Sequence, residues 1–207
     1  MATVREATYD LLRALGLTTV FGNPGSTEEP FLQDFPADFH YVHALQEASA
    51  VAMADGYAQG TGRPAHVNLH TAPGTGNGMG NLVTAWHNRT PLIVSAGQQT
   101  REMLLIEPRL ASPRAVELAQ PYVKWAHEPA RAQDVPAAFM RAYASAVQPP
   151  AGPVFLSLPM DDWDRTADPP PQVRTVATRI APDPDRLRGF ADALADARAP
   201  VLVLGAA

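Results

Sequence analysis

Apolar runs such as Pro91-Leu92-Ile93-Val94 recur along this chain without alternating polar residues, and helix-forming segments separate them. A strand that is apolar on both faces has to be covered on both faces. Strands separated by helices pair in parallel, because each connection must cross back over the sheet. The pattern therefore predicts an α/β fold in three layers, a mostly parallel sheet with helices on both faces.

The spacing places a helix over Val4 to Leu15, with Val4, Ala7, Leu11, Ala14 and Leu15 on one stripe and Gly16 ending it. Strands are predicted at Thr18 to Phe21, Phe39 to Ala44, Ala65 to Leu69, Pro91 to Ala96, Tyr122 to Ala126 and Val154 to Leu158. Helices are predicted at Glu47 to Gln59, closed by Gly60, at Thr75 to Trp86, after a tight turn at Thr71-Ala72-Pro73-Gly74, and at Val135 to Val147. The strand order is not fixed by these spacings.

Composition changes after Pro159. Asp161, Asp162, Asp164 and Asp168 lead into Pro169-Pro170-Pro171, with Pro182 and Pro184 beyond, which reads as an extended linker. A helix over Asp185 to Ala197 and a strand over Val201 to Leu204, ending at Gly205, follow. One helix and one strand cannot bury their own apolar faces. The expected organisation is a domain at 1–160, a linker at 161–182 and the start of a truncated second α/β domain at 183–207, so that the chain is an N-terminal piece of a longer protein.

The chain has no cysteine, which excludes a disulfide framework, a thiolate metal site and a cysteine nucleophile. A net charge of −5 without a long run of one sign gives no polyanion-binding surface. Met1 to Leu17 carries Arg5, Glu6, Asp10 and Arg13, unlike a signal peptide, and no stretch reaches the ~20 apolar residues of a membrane span. A cytoplasmic protein without nucleic-acid or membrane partners is expected.

Ligands of open parallel sheets bind beyond the carboxyl ends of the strands. Three polar residues fall there on three successive strands: Ser26, Glu47 and His70. Glu47 begins the small-residue helix Glu47-Ala48-Ser49-Ala50-Val51-Ala52-Met53-Ala54, either as a helix-dipole partner or as a desolvated functional acid that a flat ring could approach. His70 is either a hydrogen-bonded core residue or a site residue at the strand end. Ser26 reads as a helix N-cap, with Glu29 at capping-box distance, or as a site hydroxyl, and it lacks the flanks of a nucleophile elbow. Gly74-Thr75-Gly76-Asn77-Gly78-Met79-Gly80 narrowly misses a dinucleotide fingerprint, whose third glycine would fall at Met79. Asp161, Asp162 and Asp164 read as a solvated loop. His40, His43, His66, His87 and His127 show no metal-site spacing on one helix, so no metal ligand is expected in this chain.

Phe21-Gly22-Asn23-Pro24-Gly25-Ser26, the block from Leu45-Gln46-Glu47-Ala48 through Ala54-Asp55-Gly56-Tyr57-Ala58, and Thr71-Ala72-Pro73-Gly74-Thr75-Gly76-Asn77 resemble the N-terminal, pyrimidine-binding domain of thiamine-diphosphate decarboxylases and carboligases. The likeness continues through Ser95-Ala96-Gly97-Gln98-Gln99 to Gly152-Pro153-Val154-Phe155-Leu156. Gln98-Gln99-Thr100-Arg101, Val123-Lys124-Trp125 and Asp161-Asp162-Trp163-Asp164 are most similar to the benzoylformate-decarboxylase branch. The resemblance implies that Glu47 is the family's invariant acid, bonding N1′ of the cofactor aminopyrimidine and promoting the ylid. It implies that Ser26 holds the substrate carboxylate, that His70 passes a proton to the carbonyl oxygen, that Leu110 lines the aryl pocket, and that Gly25 and Asn77 lie near the cofactor. Other thiamine-diphosphate enzymes (acetolactate synthase-like, oxalyl-CoA decarboxylase-like, benzaldehyde lyase-like) and a non-catalytic partner-binding domain stay open as alternatives. The family's Gly-Asp-Gly and downstream Asn, which hold the diphosphate and Mg2+, have no match in this chain. The chain alone is therefore expected to be inactive, and the cofactor is expected between subunits of a self-associating, homotetrameric full-length enzyme.

Overall fold

The computed structural model describes residues 1–169 and 171–203. Its centre is a six-stranded sheet of β1 (Thr19–Gly22), β2 (His40–His43), β3 (Ala65–Leu69), β4 (Leu92–Gln98), β5 (Ala126–His127) and β6 (Val154–Pro159). Every pairing is parallel, in the order β2-β1-β3-β4-β6-β5. β3, β4 and β6 are buried at every residue, which is why their sequences do not alternate.

One face of the sheet packs on α1 (Val4–Ala14) and α6 (Val135–Val147), with Leu12, Phe31, Ile93, Phe139 and Leu156 in the shared core. The other packs on α3 (Glu47–Thr61) and α4 (Thr71–His87), through Val51, Ala54, Val67, Leu69, Leu82 and Val94. α1 begins on a complete capping box between Thr3 and Glu6. Two short helices, α2 (Glu29–Leu32) and α5 (Ala115–Leu118), were not expected from periodicity. At four residues each they span barely one turn, too short to show a period.

Several boundaries differ from the sequence-based expectation. α4 starts at Thr71, so Thr71-Ala72-Pro73-Gly74 is its first turn and not a separate tight turn; the Gly74 N–H already donates to the His70 carbonyl (2.8 Å). Pro73 is tolerated because the first N–H groups of a helix lack intrahelical partners. α3 runs past Gly60 to Thr61, and Gly62, at φ 67°, is its left-handed cap. Of the strand expected at Tyr122 to Ala126 only Ala126 joins β5, although the Lys124 N–H still donates to the Pro153 carbonyl and the Trp125 carbonyl accepts from the Phe155 N–H; the Lys124 ammonium donates to the Ser145 and Gln148 carbonyls.

Residues 163–167, within the expected linker at 161–182, pack on the sheet domain. Trp163 is 3% exposed within the core, Thr3 bridges Thr166, and the Ala167 N–H donates to Ala2. The sheet domain therefore holds the chain to Ala167. α7 (Pro184–Asp196) forms as expected, but Leu187, Phe190 and Leu194 stay exposed. Residues 201–203 form no strand, and Leu204 and Gly205 of the expected strand lie outside the described residues.

His66 on β3 is fully buried beside Phe31 and Phe139, with Nε2 on the Ser95 hydroxyl (2.8 Å) and Nδ1 without a partner. Burial pushes its imidazole from 6.5 down to about 3. The native protein thus keeps His66 neutral, while the unfolded chain takes up a proton below about pH 6.5. The contribution to stability is complete above that pH and is lost as pH falls toward 3. Going from about pH 6.5 to about pH 5 should remove about 1–2 kcal/mol through this group. Urea unfolding at both pH values should show that loss in the wild type and a correspondingly smaller one in His66→Gln; equal pH slopes would contradict the assignment.

Candidate active site

The strand order reverses at β1: the chain steps from β1 outward to β2, then returns to place β3 on the other side. The carboxyl ends of β1 and β3 therefore border a crevice at a topological switch point. β1 ends at Gly22, where a Cβ would stand 2.2 Å from the Tyr41 hydroxyl and 2.4 Å from the Asn68 carbonyl oxygen. Only glycine lets the strand end pass between its neighbours.

Glu47 is the first residue of α3, just beyond β2. It is 7% exposed, and its two oxygens accept from different amides: Oε1 from Asn23 Nδ2 and Oε2 from Asn77 Nδ2, both at 3.2 Å. Asn23 comes from the turn after β1 and Asn77 from α4, so three segments meet on one carboxylate. α4 reaches it because Gly74 has no side chain; a Cβ there would lie 3.1 Å from Glu47 Oε1 and 3.4 Å from His70 Cβ. Glu47 and His70 thus flank the same glycine.

His70 is the N-cap residue of α4, directly beyond β3, with its side chain 22% exposed. Its ring lies against Gly25, where a Cβ would come within 2.4 Å of Nδ1. Nδ1 sits 2.8 Å from Glu28 Oε2 and 3.1 Å from the Thr27 hydroxyl. Gly25 also donates its N–H to Glu28 Oε2 at 2.8 Å. The next residue, Thr71, holds a left-handed φ of 49°, an uncommon conformation for a β-branched residue.

Glu47, His70, Gly25 and Asn77 therefore lie in one contiguous cluster at the carboxyl edge of the sheet. Ser26 follows Gly25 in the same turn but is exposed, and its side chain joins no hydrogen bond among the described residues. It is not a helix N-cap: α2 begins at Glu29, preceded by Glu28, and no side chain caps it. Leu110 stands apart in sequence, half-buried at φ 73° in the segment after β4. The base of that segment is tied by the buried Gln98 amide, which donates to the Ser112 carbonyl (2.8 Å) and accepts its N–H (3.0 Å).

The acidic group near residue 161 is not a solvated loop. Asp162 is 1% exposed and pairs through both oxygens with Arg101, each at 2.7 Å. Burial raises its carboxyl and Arg101 pulls it back, leaving it above the ordinary value. Asp164 pairs with Arg5 at 2.6 Å.

Glu28, Asn23 and Gly97 complete the surroundings, and none was a sequence-based candidate. Glu28 lies between Thr27 and Glu29, and no periodicity tells which of two adjacent glutamates points inward. Gly97 offered no signal in one sequence, yet a Cβ there would stand 2.0 Å from Glu28 Oε1.

Fold and site together define an α/β domain that presents a buried carboxylate and an imidazole at the carboxyl edge of a parallel sheet. Residues 2–118 match the family described as thiamine pyrophosphate enzyme, N-terminal TPP binding domain, and the chain belongs to that family. It is 52% identical, over 99% of its length, to benzoylformate decarboxylase of Pseudomonas aeruginosa, of which it covers 39%. It resembles the crystal structure of benzoylformate decarboxylase from Polynucleobacter necessarius (60% identity, TM-score 0.92, 95% of this chain and 37% of that one). It likewise resembles the thiamine diphosphate-dependent 4-hydroxybenzoylformate decarboxylase of Rhodococcus jostii RHA1 (46% identity, TM-score 0.93, 99% and 39%). The chain thus spans about two-fifths of the length of these relatives.

The glycines make a direct test of the packing. Gly25→Ala drives an atom into the His70 ring and should lower unfolding stability by about 1–3 kcal/mol. Gly76→Ala has open space around it and should be neutral or stabilising by up to about 1 kcal/mol. Urea midpoints compare the two; equal tolerance at both positions would contradict the close contact.

Proposed function

We propose that the full-length protein is a thiamine-diphosphate-dependent decarboxylase that converts an aryl 2-keto acid, benzoylformate, to benzaldehyde and carbon dioxide. In this reading the sheet domain binds the cofactor's pyrimidine, the segment from residue 168 to 182 links it onward, and a second α/β domain starts near residue 183. The observation that carries the proposal is the Glu47 carboxylate, buried at the switch point between two amide donors and faced by Gly74.

The residues present fit an aminopyrimidine. Asn23 and Asn77 orient the oxygens of Glu47, and the two acceptor positions they leave on the carboxylate suit a ring nitrogen. Glu47 would hold a proton shared with a ring nitrogen, with Gly25 and Asn77 lining the same space. When bound, the cofactor supplies the carbon nucleophile for the keto group and accepts the electron pair released with carbon dioxide. The exposed Ser26 hydroxyl is free to donate to a substrate carboxylate, and His70 carries the proton for the carbonyl oxygen. Leu110 contributes apolar wall to the aryl pocket.

The diphosphate and Mg2+ would be held by residues of another domain. The enzyme would work as a homo-oligomer, a tetramer, with this domain facing the cofactor-bearing domain of a second subunit. Leu45, two residues before Glu47, is 94% exposed, which supports a covering partner beside the site.

Full-length protein supplied with thiamine diphosphate and Mg2+ should form benzaldehyde from benzoylformate, and the 207-residue chain should not. His70→Ala in the full-length protein should slow turnover by about 10²- to 10⁴-fold. Aldehyde release is followed by a coupled dehydrogenase assay. Turnover by the chain alone, or none by the full-length protein, would overturn the proposal.

A further inference from the structure

Glu28 is 1% exposed, yet its carboxylate is in contact with four hydrogen-bonding groups. Oε1 accepts from the Gly97 N–H (2.8 Å) and from the Thr27 hydroxyl (2.7 Å). Oε2 accepts from the Gly25 N–H (2.8 Å) and lies 2.8 Å from His70 Nδ1. The two backbone groups can only donate, so both oxygens are committed as acceptors. The Thr27 hydroxyl, 3.1 Å from Nδ1, gives its hydrogen to Oε1, so with Glu28 ionised Nδ1 meets only an acceptor in Oε2 and brings the hydrogen.

The rest of the imidazole is not held in this way. Among the described residues His70 Nε2 makes no hydrogen bond and is not sealed from solvent. The surroundings are built tightly around the pair. Side chains at Gly25 and Gly97 would strike the His70 ring and the Glu28 carboxylate respectively. The left-handed Thr71, with its hydroxyl buried and unpartnered, shows that an unfavourable backbone is kept directly beside His70.

We infer that Glu28 is a positioning residue that fixes His70 with its hydrogen on Nδ1 and leaves Nε2 turned to the crevice. The hydrogen bond made by one ring nitrogen decides what the other can do. With Nδ1–H bound to Glu28, Nε2 accepts a proton when the ring is neutral and donates one when the ring is charged. Loss of Glu28 frees the ring to place its hydrogen on Nε2, where it can no longer accept. The inference rests on the decarboxylase reading only for its kinetic consequence; the state of the ring can be measured without it.

Nitrogen NMR of protein carrying isotope-labelled histidine reads the tautomer, with His70 assigned by the signal missing from His70→Asn. The neutral wild-type ring should show a protonated Nδ1 and a bare Nε2, and Glu28→Gln should shift the population toward protonated Nε2. In the full-length enzyme Glu28→Gln should lower kcat about 10²- to 10⁴-fold, as wrong-tautomer variants of paired histidines do. The same change in a His70→Ala background should alter kcat by no more than about threefold, because Glu28 acts through His70. Thermal melting of Glu28→Gln separates unfolding from mispositioning, and the wild-type spectrum decides the matter if that variant does not fold. A wild-type ring protonated on Nε2, an unchanged tautomer in Glu28→Gln, or equal losses in both backgrounds would overturn the inference. An enzyme without benzoylformate turnover would sink the decarboxylase reading and leave the ring measurement standing.

Discussion

The close contact of α4 with the Glu47 carboxylate, allowed by the bare backbone of Gly74, is the constraint around which the site is arranged. A parallel sheet brings strand ends to one edge but leaves several ångströms between the segments that follow them. Here the gap is closed by removing side chains. Gly74 lets α4 reach Glu47, Gly25 lets the turn after β1 reach the His70 ring, and Gly97 lets the end of β4 reach Glu28. The ends of four strands are drawn into one polar cluster, and a methyl group added at Gly25 or Gly97 would collide with it outright.

The cluster is costly in isolation, since buried polar groups without partners destabilise a fold. The protein answers with dense pairing. Glu28 has four polar neighbours, and Glu47 has two amide donors. The difference between the carboxylates separates their parts. Glu28 is saturated by this chain and suits a supporting role. Glu47 retains acceptor capacity, since a carboxylate offers about four lone-pair sites and two are filled, so it can engage a ligand.

Much of the fold was legible from the sequence because burial on both faces leaves an unmistakable pattern in β3, β4 and β6. The β3 and α6 boundaries agree with the expectation residue for residue. What was not legible depended on tertiary contacts. The expected strand at Tyr122 to Ala126 shortens to a two-residue β5, and residues up to Ala167 of the expected linker are held on the sheet domain by pairing with Ala2 and Thr3. In the site, Glu47 and His70 stood at predictable strand ends. The glutamate that grips His70 did not, because facing inward from a short turn leaves no period, and the roles of Gly25, Gly74 and Gly97 are visible only once neighbouring segments are placed.

The reading of Glu47 as the acid that engages the cofactor can be examined apart from any substrate. In full-length protein with thiamine diphosphate bound, the exchange of the cofactor's thiazolium C2 proton with solvent is measured by quenched-flow NMR. The account predicts that Glu47→Gln, which keeps the shape of the side chain, slows that exchange by about 10²-fold or more. Exchange at the wild-type rate, with the cofactor shown to be bound, would contradict it.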